Sequence, residues 1–165
     1  MKLRNYILED ANTIASWIAD EKSLYQWSAD RINIFPVCGN DINRCYTPMI
    51  RTGRFIPLTY VCDDKIIGHL TIRYPIDGND KVVRFGFVIV NPTLRGHGYG
   101  KKMLITAIEY VKNILKADKI TLGVFANNDN AKYCYKSVGF ENIGKNEVYR
   151  LKIGECECEE MQLNL

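Results

Sequence analysis

The residues best suited to chemistry form a glycine-rich loop between an apolar segment and an amphipathic one. The loop reads Arg95-Gly96-His97-Gly98-Tyr99-Gly100-Lys101, with glycine at every second position. Alternating glycines let successive backbone N–H groups turn inward, and the positive end of a following helix adds to their attraction for an anion. Arg95 and Lys101 add whole charges, and arginine can hold a phosphate through two parallel hydrogen bonds. The pattern predicts a pyrophosphate site, to which His97 and Tyr99 contribute their backbone while their side chains turn away.

Two common phosphate-binding motifs do not match this loop. A dinucleotide site needs G-x-G-x-x-G at the start of a βαβ unit and an acidic residue for the ribose after the next strand, where this chain has Phe125-Ala126-Asn127-Asn128. A nucleoside triphosphate site needs a serine or threonine after its lysine, but Lys101 is followed by Lys102. The loop therefore indicates neither a dinucleotide enzyme nor an NTPase.

A second candidate group lies further along the chain, on one predicted helix. Asn128, Ala131, Lys132 and Tyr135 are spaced to share one face of that helix, and Ala131 is small enough for a ligand to lie close. A positioned tyrosine hydroxyl can hydrogen-bond a developing negative charge. Two structural interpretations stay open, because Asn128 is also a good helix N-cap and Tyr135 is also a good core residue.

Together the two segments resemble the GNAT superfamily of acyl-CoA-dependent N-acetyltransferases. Residues 95–100 match its R/Q-x-x-G-x-G/A signature, and residues 128–140 match N-x-x-A-x-x-x-Y-x-x-x-G-F in full. The similarity is close over residues 58–140 and is greatest with small bacterial members. It implies a single-domain α/β fold of the α+β type, with a mixed, mostly antiparallel sheet of about six to seven strands flanked by helices. The sheet would splay between its fourth and fifth strands.

The resemblance also implies what individual residues do. Backbone groups of Val88, Ile89 and Val90 would pair with the pantetheine arm of acetyl-CoA as an added strand would, and the backbone amides from Gly96 to Lys101 would hold its pyrophosphate. Asn128 would bond the pantetheine or thiol end, and Tyr135 would protonate the leaving thiolate. No metal is expected. The implied cofactor-binding residues are Val88, Ile89, Val90, Arg95, Gly96, His97, Gly98, Tyr99, Gly100, Lys101 and Asn128.

The group that deprotonates the amine is not evident from the sequence. Family members with a glutamate early in the fourth strand would place it near Val82, where this chain reads Val82-Val83-Arg84. His69, Glu160 and a water chain are the alternatives. Water is favoured, because a single histidine with no visible partner is more often a hydrogen-bonded residue of a sheet. A backbone N–H near Val88 is expected to stabilise the oxyanion.

Hydrophobic periodicity predicts the elements that carry these residues. The predicted helices are one from residue 10, a short one at 23–27, the most regular one at 100–118, and one from 128 or 129 to 137. The predicted strands are 2–7, 58–62, 65–74, 82–90, 120–125 and two around Gly154 within 140–165. The second, third and fourth of these are predicted to form an antiparallel meander. Residues 31–57 are predicted to be a loop with one helical turn. The apolar run 87–90 predicts a central strand buried on both faces.

Composition limits the class of protein. The chain has 165 residues, of which 47% are hydrophobic and 25% charged, and its net charge is +3. These values favour one globular domain over residues 1–165 and exclude a disordered chain or a dedicated nucleic-acid binder. No apolar run suits a membrane span or a signal peptide, so we expect a cytoplasmic protein without membrane partner, monomeric or homodimeric. The six cysteines are expected to be free thiols.

Two functions follow as hypotheses. The first is transfer of acetyl from acetyl-CoA to a primary amine of a small molecule or protein N-terminus, by direct attack in a ternary complex. The alternative, which the missing glutamate keeps open, is a non-catalytic acyl-CoA-binding or sensing module. Tyr135 together with Asn128 favours the enzyme. The early helices and the following loop would select the acceptor, and they offer Trp17, Trp27, Ser28, Asp30, Arg31, Tyr46 and Arg51.

Overall fold

A single sheet runs through the molecule, and its strands follow the order β1-β2-β3-β4-β5-β7-β6. The structure, a computed structural model, describes residues 1–165. The strands are β1 (Lys2–Asn5), β2 (Phe55–Cys62), β3 (Lys65–Arg73), β4 (Val82–Val90), β5 (Lys119–Phe125), β6 (Glu141–Leu151) and β7 (Gly154–Asn164). The helices are α1 (Asp10–Ala15), α2 (Glu21–Ser28), α3 (Gly39–Arg51), α4 (Tyr99–Tyr110), which continues as a wider turn over Val111–Leu115, and α5 (Asp129–Lys136). This is the predicted mixed sheet flanked by helices.

The sheet opens between β4 and β5. These two strands are parallel and pair only at their first residues, where Val82 opposes Lys119, Val83 opposes Ile120 and Arg84 opposes Thr121. Every other neighbouring pair is antiparallel. Beyond Arg84 the edge of β4 that faces β5 has no strand partner. The predicted splay between the fourth and fifth strands is therefore confirmed.

A β-bulge lies in β4 next to the opening. His69 opposes Ile89 and Thr71 opposes Gly86, so two residues of β4, Phe87 and Val88, lie against one residue of β3. Phe87 has a φ of 49°, which is unusual for a residue with a side chain. Bulges bend a strand and are common beside active sites. This one bends β4 at the point where β5 diverges.

Two hydrophobic clusters cover the two faces of the sheet. The larger contains 18 buried residues and includes Met103 and Leu104 of α4 and Tyr135 of α5. The smaller contains 13 buried residues and joins α1, α2 and α3 to the other face. In β4, Val88 packs against the larger cluster and Phe87 against the smaller, but both are only partly buried. The prediction that residues 87–90 are buried on both faces was wrong, because the divergence of β5 leaves part of β4 uncovered.

Helix α3 corrects the prediction of a loop over residues 31–57. It spans Gly39–Arg51 and contains Pro48 in its interior. A proline removes one helical hydrogen bond and normally disfavours a helix interior. Here Ile42 and Tyr46, one turn apart, are completely buried in the smaller cluster. Their burial stabilises the helix, a tertiary effect that the local composition of prolines and cysteines conceals.

The other predicted elements are present, with shifts at their ends. The first strand ends at Asn5 rather than residue 7, and the second begins at Phe55 rather than residue 58. Regular α-helix in α4 ends at Tyr110 rather than near residue 118. No helix in the structure combines the length and the hydrophobicity needed to cross a bilayer.

Candidate active site

The glycine-rich loop leaves β4 and leads into α4. A short turn, Pro92–Leu94, follows the strand, and the side-chain oxygen of Asn91 accepts a hydrogen bond from the Thr93 N–H at 3.0 Å. Gly96 and Gly98 then adopt φ values of 80° and 78°, and no atom lies within 4 Å of where a Cβ would be on either. Gly98 is the N-cap of α4. The left-handed conformation explains the glycines, and the open space leaves the loop accessible to an anion.

The side chains of this loop leave two cations without a carboxylate partner. Arg95 and Lys101 are exposed, and neither takes part in the ion pairs of the structure. The His97 ring instead turns back, with Nδ1 donating to the Arg95 carbonyl oxygen at 2.9 Å. The ammonium of Lys102 lies 5.7 Å from the centre of the Tyr99 ring. The loop therefore offers amides and free positive charge together.

Gly100 lets three elements approach one another. A Cβ on Gly100 would lie 3.3 Å from the Cys134 sulfur of α5 and 3.7 Å from a methyl group of Val90 in β4. The first of these separations is tighter than ordinary van der Waals contact. The third glycine of the loop is thus required for packing, while Gly96 and Gly98 are required for backbone conformation.

Helix α5 begins at the predicted asparagine. The Asn128 side-chain oxygen accepts a hydrogen bond from the Ala131 N–H at 3.3 Å, so Asn128 is an N-cap. Its side-chain amide N–H groups make no hydrogen bond within the chain and can serve a ligand. Lys132, on the same face, lies 3.3 Å from a carboxylate oxygen of Glu159 in β7. This pair anchors α5 to β7, the antiparallel neighbour of β5.

Tyr135 is both a core residue and a candidate proton donor. Its side chain belongs to the larger cluster, with 7% of its surface exposed, and its ring meets that of Phe140 at 6.0 Å in an edge-to-face arrangement. Its hydroxyl makes no hydrogen bond within the chain. Burial raises the pKa of Tyr135 well above its usual value, so the phenol is protonated at neutral pH.

His69 is a structural residue of the sheet. It is completely buried, and its Nε2 lies 2.9 Å from the Tyr46 hydroxyl of α3. Burial lowers the pKa of His69 to about 3, so the ring is neutral. With no access to solvent it cannot take a proton from an acceptor amine. Of the predicted bases, His69 is therefore excluded, and its interpretation as a hydrogen-bonded sheet histidine is confirmed.

An ion pair lies near the position where the family resemblance suggested a glutamate. Arg84 of β4 reaches across β5 and binds Glu160 of β7 and, at 3.3 Å, the Thr121 hydroxyl. Gly123 of β5 makes this crossing possible, because a Cβ there would lie 2.8 Å from the Arg84 guanidinium and 2.9 Å from the Cys158 sulfur. Glu160 is engaged by a cation and is not a free base. The sequence carried no signal for this pairing, since it joins residues of distant strands.

A pocket opens between the diverging strands on the side of α2. Among the residues suggested for acceptor selection, Trp27, Ser28, Asp30 and Arg31 line it. Trp17 and Tyr46 do not, because both are buried in the smaller cluster. Phe55, Arg73 and Tyr149 also line the pocket and were missed. They come from strands whose neighbours are decided only by the tertiary fold.

Comparison with known proteins agrees with this architecture. The sequence profile of the acetyltransferase (GNAT) family matches residues 14–140. The chain is 34% identical over 94 residues to the L-amino acid N-acetyltransferase AaaT of Escherichia coli, which covers 56% of this chain and 57% of that protein. It is 26% identical over 113 residues to the spermine/spermidine N(1)-acetyltransferase of Bacillus subtilis, covering 66% of this chain and 70% of the relative.

Among solved structures, the fold is similar to that of spermidine N-acetyltransferase from Vibrio cholerae, determined in complex with CoA and spermine. The TM-score is 0.79 at 19% identity, and the superposition covers 99% of this chain and 94% of the other. At this identity the likeness concerns the fold. The profile match, the splayed sheet and the glycine-rich loop agree, and the chain belongs to the acetyltransferase (GNAT) family.

Proposed function

We propose that the protein transfers the acetyl group of acetyl-CoA to a primary amine of a small molecule or a protein N-terminus, by direct attack within a ternary complex. The observation that carries the proposal is the unpaired edge of β4 leading directly into an open, positively charged glycine loop. A ligand with an extended amide arm and a pyrophosphate fits such a sequence of binding groups.

The cofactor-binding roles follow the order of the chain. Backbone groups of residues 88–90 pair with the pantetheine arm along the free edge of β4. The amides of residues 96–101 bind the pyrophosphate, and Arg95 and Lys101 neutralise its charge. The free amide group of Asn128 donates to the pantetheine or thiol end. Acetyl-CoA then supplies a thioester beside the bulge in β4.

The chemistry is one acyl transfer. The neutral amine nitrogen forms a bond to the thioester carbonyl carbon, and the carbon–sulfur bond breaks. An acceptor that arrives as an ammonium ion loses two protons overall. The first goes to solvent water before the attack. The second leaves the nitrogen after the attack, and its loss is balanced by protonation of the CoA thiolate. A backbone N–H near Val88 stabilises the oxyanion, since the bulge frees that stretch of β4 from a regular ladder.

Tyr135 supplies the proton to the leaving thiolate. Its phenol is protonated and makes no hydrogen bond within the chain, so the O–H is available to a ligand. Its raised pKa makes it a weak acid, so its main contribution is a hydrogen bond to the developing charge on sulfur. Deprotonation of the amine falls to water, because His69 is buried and Glu160 is bound to Arg84.

The named activities of the curated relatives fit a small amine acceptor. One is named for L-amino acids and another for spermine and spermidine. The aligned segment spans only a little over half of the first relative, 57% of its length.

The test is a calorimetric titration with acetyl-CoA followed by a thiol-release assay with amino acids, polyamines, aminoglycosides and N-terminal peptides. We expect micromolar binding and CoA release that depends on an amine. Binding without turnover for any amine would favour the acyl-CoA sensor. Absence of binding would refute both functions.

A further inference from the structure

The pocket between the diverging strands carries positive charge that the chain does not neutralise. Three arginines line it, namely Arg31, Arg73 and Arg84. Arg84 is bound to Glu160, and Arg31 lies 3.8 Å from a carboxylate oxygen of Asp30. Arg73 makes no ion pair and no side-chain hydrogen bond within the chain. It is the one arginine of the pocket without an anionic partner.

The position of Arg73 makes this lack of a partner costly. Arg73 ends β3 and stands directly opposite Arg84 of β4, so the two side chains project from the same face. Like charges directly opposite in a sheet repel each other. Arg73 is also half-buried, and burial together with Arg84 and Arg31 lowers the pKa of its guanidinium. An anion bound beside Arg73 would offset both the repulsion from Arg84 and the cost of burying the guanidinium.

Aromatic rings form part of the pocket wall. The Trp27 and Phe87 rings meet at 5.1 Å, and the Phe125 and Tyr149 rings meet at 5.5 Å on the other side. The indole N–H of Trp27 is buried and has no hydrogen-bond partner. The pocket thus offers an apolar surface, one unpaired guanidinium and one unpaired neutral donor.

Building on the proposed function, we infer that the acceptor amine also carries a carboxylate, which Arg73 binds, and an apolar group that packs between the aromatic rings. An amino acid with an apolar side chain has this chemistry. A polyamine does not, because it has no carboxylate, and Glu160, a carboxylate beside the pocket, is already bound to Arg84.

The geometry along β4 allows one small molecule to reach both sites. Arg84, opposite Arg73, is followed by Gly86 and Phe87 in the pocket wall and then by Val88, where the thioester is proposed to lie. Four residues of strand span roughly 13 Å. The guanidinium of Arg73 lines the same pocket wall, so an acceptor held there would extend along β4 towards Val88.

The test compares matched acceptors at saturating acetyl-CoA. Leucine is paired with leucinamide, phenylalanine with phenylalaninamide and β-alanine with its amide, and spermidine is included as a polycation. We expect kcat/KM for the best acid to exceed that for its amide by roughly tenfold to a hundredfold, the effect of a charge-assisted hydrogen bond. The amine of an amide is more easily deprotonated, so a preference for the acid is carried by the carboxylate.

Variants of Arg73 test whether this residue causes the preference for the acid. Arg73→Gln is expected to remove the preference for the acid by raising its KM, while Arg73→Lys retains part of it. Arg150→Gln is the matched control, because Arg150 is 87% exposed on β6, and it should leave the preference unchanged. Circular dichroism and the melting temperature check that each variant folds.

The outcomes separate the two proposals. Acetylation that is indifferent to the carboxylate, or a preference for spermidine, would overturn the carboxylate site and leave the acetyltransferase function intact. An unchanged preference in a folded Arg73→Gln would overturn the assignment of Arg73. No turnover with any amine would overturn the proposed function and this inference with it. The comparison in the wild-type protein does not depend on the folding of any variant.

Discussion

Substitution of Gly98 by aspartate tests the anion site most directly. Gly98 has a φ of 78°, caps α4 and has open space where a side chain would begin. Gly98→Asp therefore places a carboxylate beside the amides that are proposed to bind the pyrophosphate. The new charge competes with the ligand for those amides and repels its phosphates. We expect binding of acetyl-CoA to fall sharply in a protein that remains folded.

The magnitude follows from two separate effects. Two like charges about 4 Å apart repel by about 4 kcal/mol at an effective dielectric constant of about 20. This corresponds to an increase of about a thousandfold in Kd. The left-handed conformation costs a non-glycine residue about 1–2 kcal/mol of folding stability, or about 2–8 °C in melting temperature for a domain of this size.

Two controls separate charge from strain. Gly98→Ala has a similar strain without the charge and should weaken binding far less. Gly78→Asp adds the same residue at a φ of 71° in another open turn, which precedes β4 and so lies at the opposite end of that strand from the loop. It should lower the melting temperature while leaving the Kd unchanged. Calorimetric titration with acetyl-CoA gives the Kd values, and equal affinity of Gly98→Asp and Gly98→Ala would refute the anion site.

Three further predictions follow from the site. Tyr135→Phe should lower kcat about tenfold to a hundredfold, the effect of losing a hydrogen bond to a charged group, with little change in affinity for acetyl-CoA. Tyr133→Phe, at a side chain that is 79% exposed, should leave kcat unchanged. An unchanged kcat in Tyr135→Phe would remove Tyr135 from the acid role. Because the pKa of His69 is lowered to about 3 in the folded protein, the unfolded chain binds a proton first as the pH falls below about 6.5. The free energy of unfolding should therefore decrease as the pH falls from about 6.5 to 3, by up to about 1.4 kcal/mol per pH unit from this residue. Urea titrations of His69→Gln should show a shallower decrease. An identical dependence on pH in the two proteins would contradict the burial argument. Arg84→Met and Glu160→Gln should each destabilise the protein. The loss of stability in the double variant should be smaller than the sum of the two single losses, by a coupling energy of about 0.5–3 kcal/mol. Additive losses would show that the ion pair contributes nothing to stability.

Features confined to one stretch of chain were predictable from the sequence. The nest of amides needs a left-handed backbone at Gly96 and Gly98, and only glycine adopts that conformation without strain. The N-cap at Asn128 likewise depends on the first turn of its own helix. The β2–β3–β4 meander follows from alternating residues and short turns. In each case the residues that specify the structure are neighbours in the sequence.

Helix α3 shows why the same approach failed elsewhere. Residues 39–51 place Ile42, Cys45, Tyr46 and Met49 at helical spacing, but Pro48 within the segment obscured this signal. The helix is stabilised by burial of Ile42 and Tyr46 against a sheet whose position the segment itself does not encode. His69 was similarly ambiguous in the sequence, because its partner Tyr46 is contributed by that helix.

The sequence by itself determined the glycine-rich loop, the capped helix α5 and the family, since these depend on contiguous residues. Only the tertiary structure decided the pocket between the diverging strands. The order of the strands carries Arg84 across Gly123 to Glu160 and leaves Arg73 facing Arg84 without a partner. These charges are distant in sequence, and their net balance exists only after the sheet has assembled and water has been excluded from between its strands.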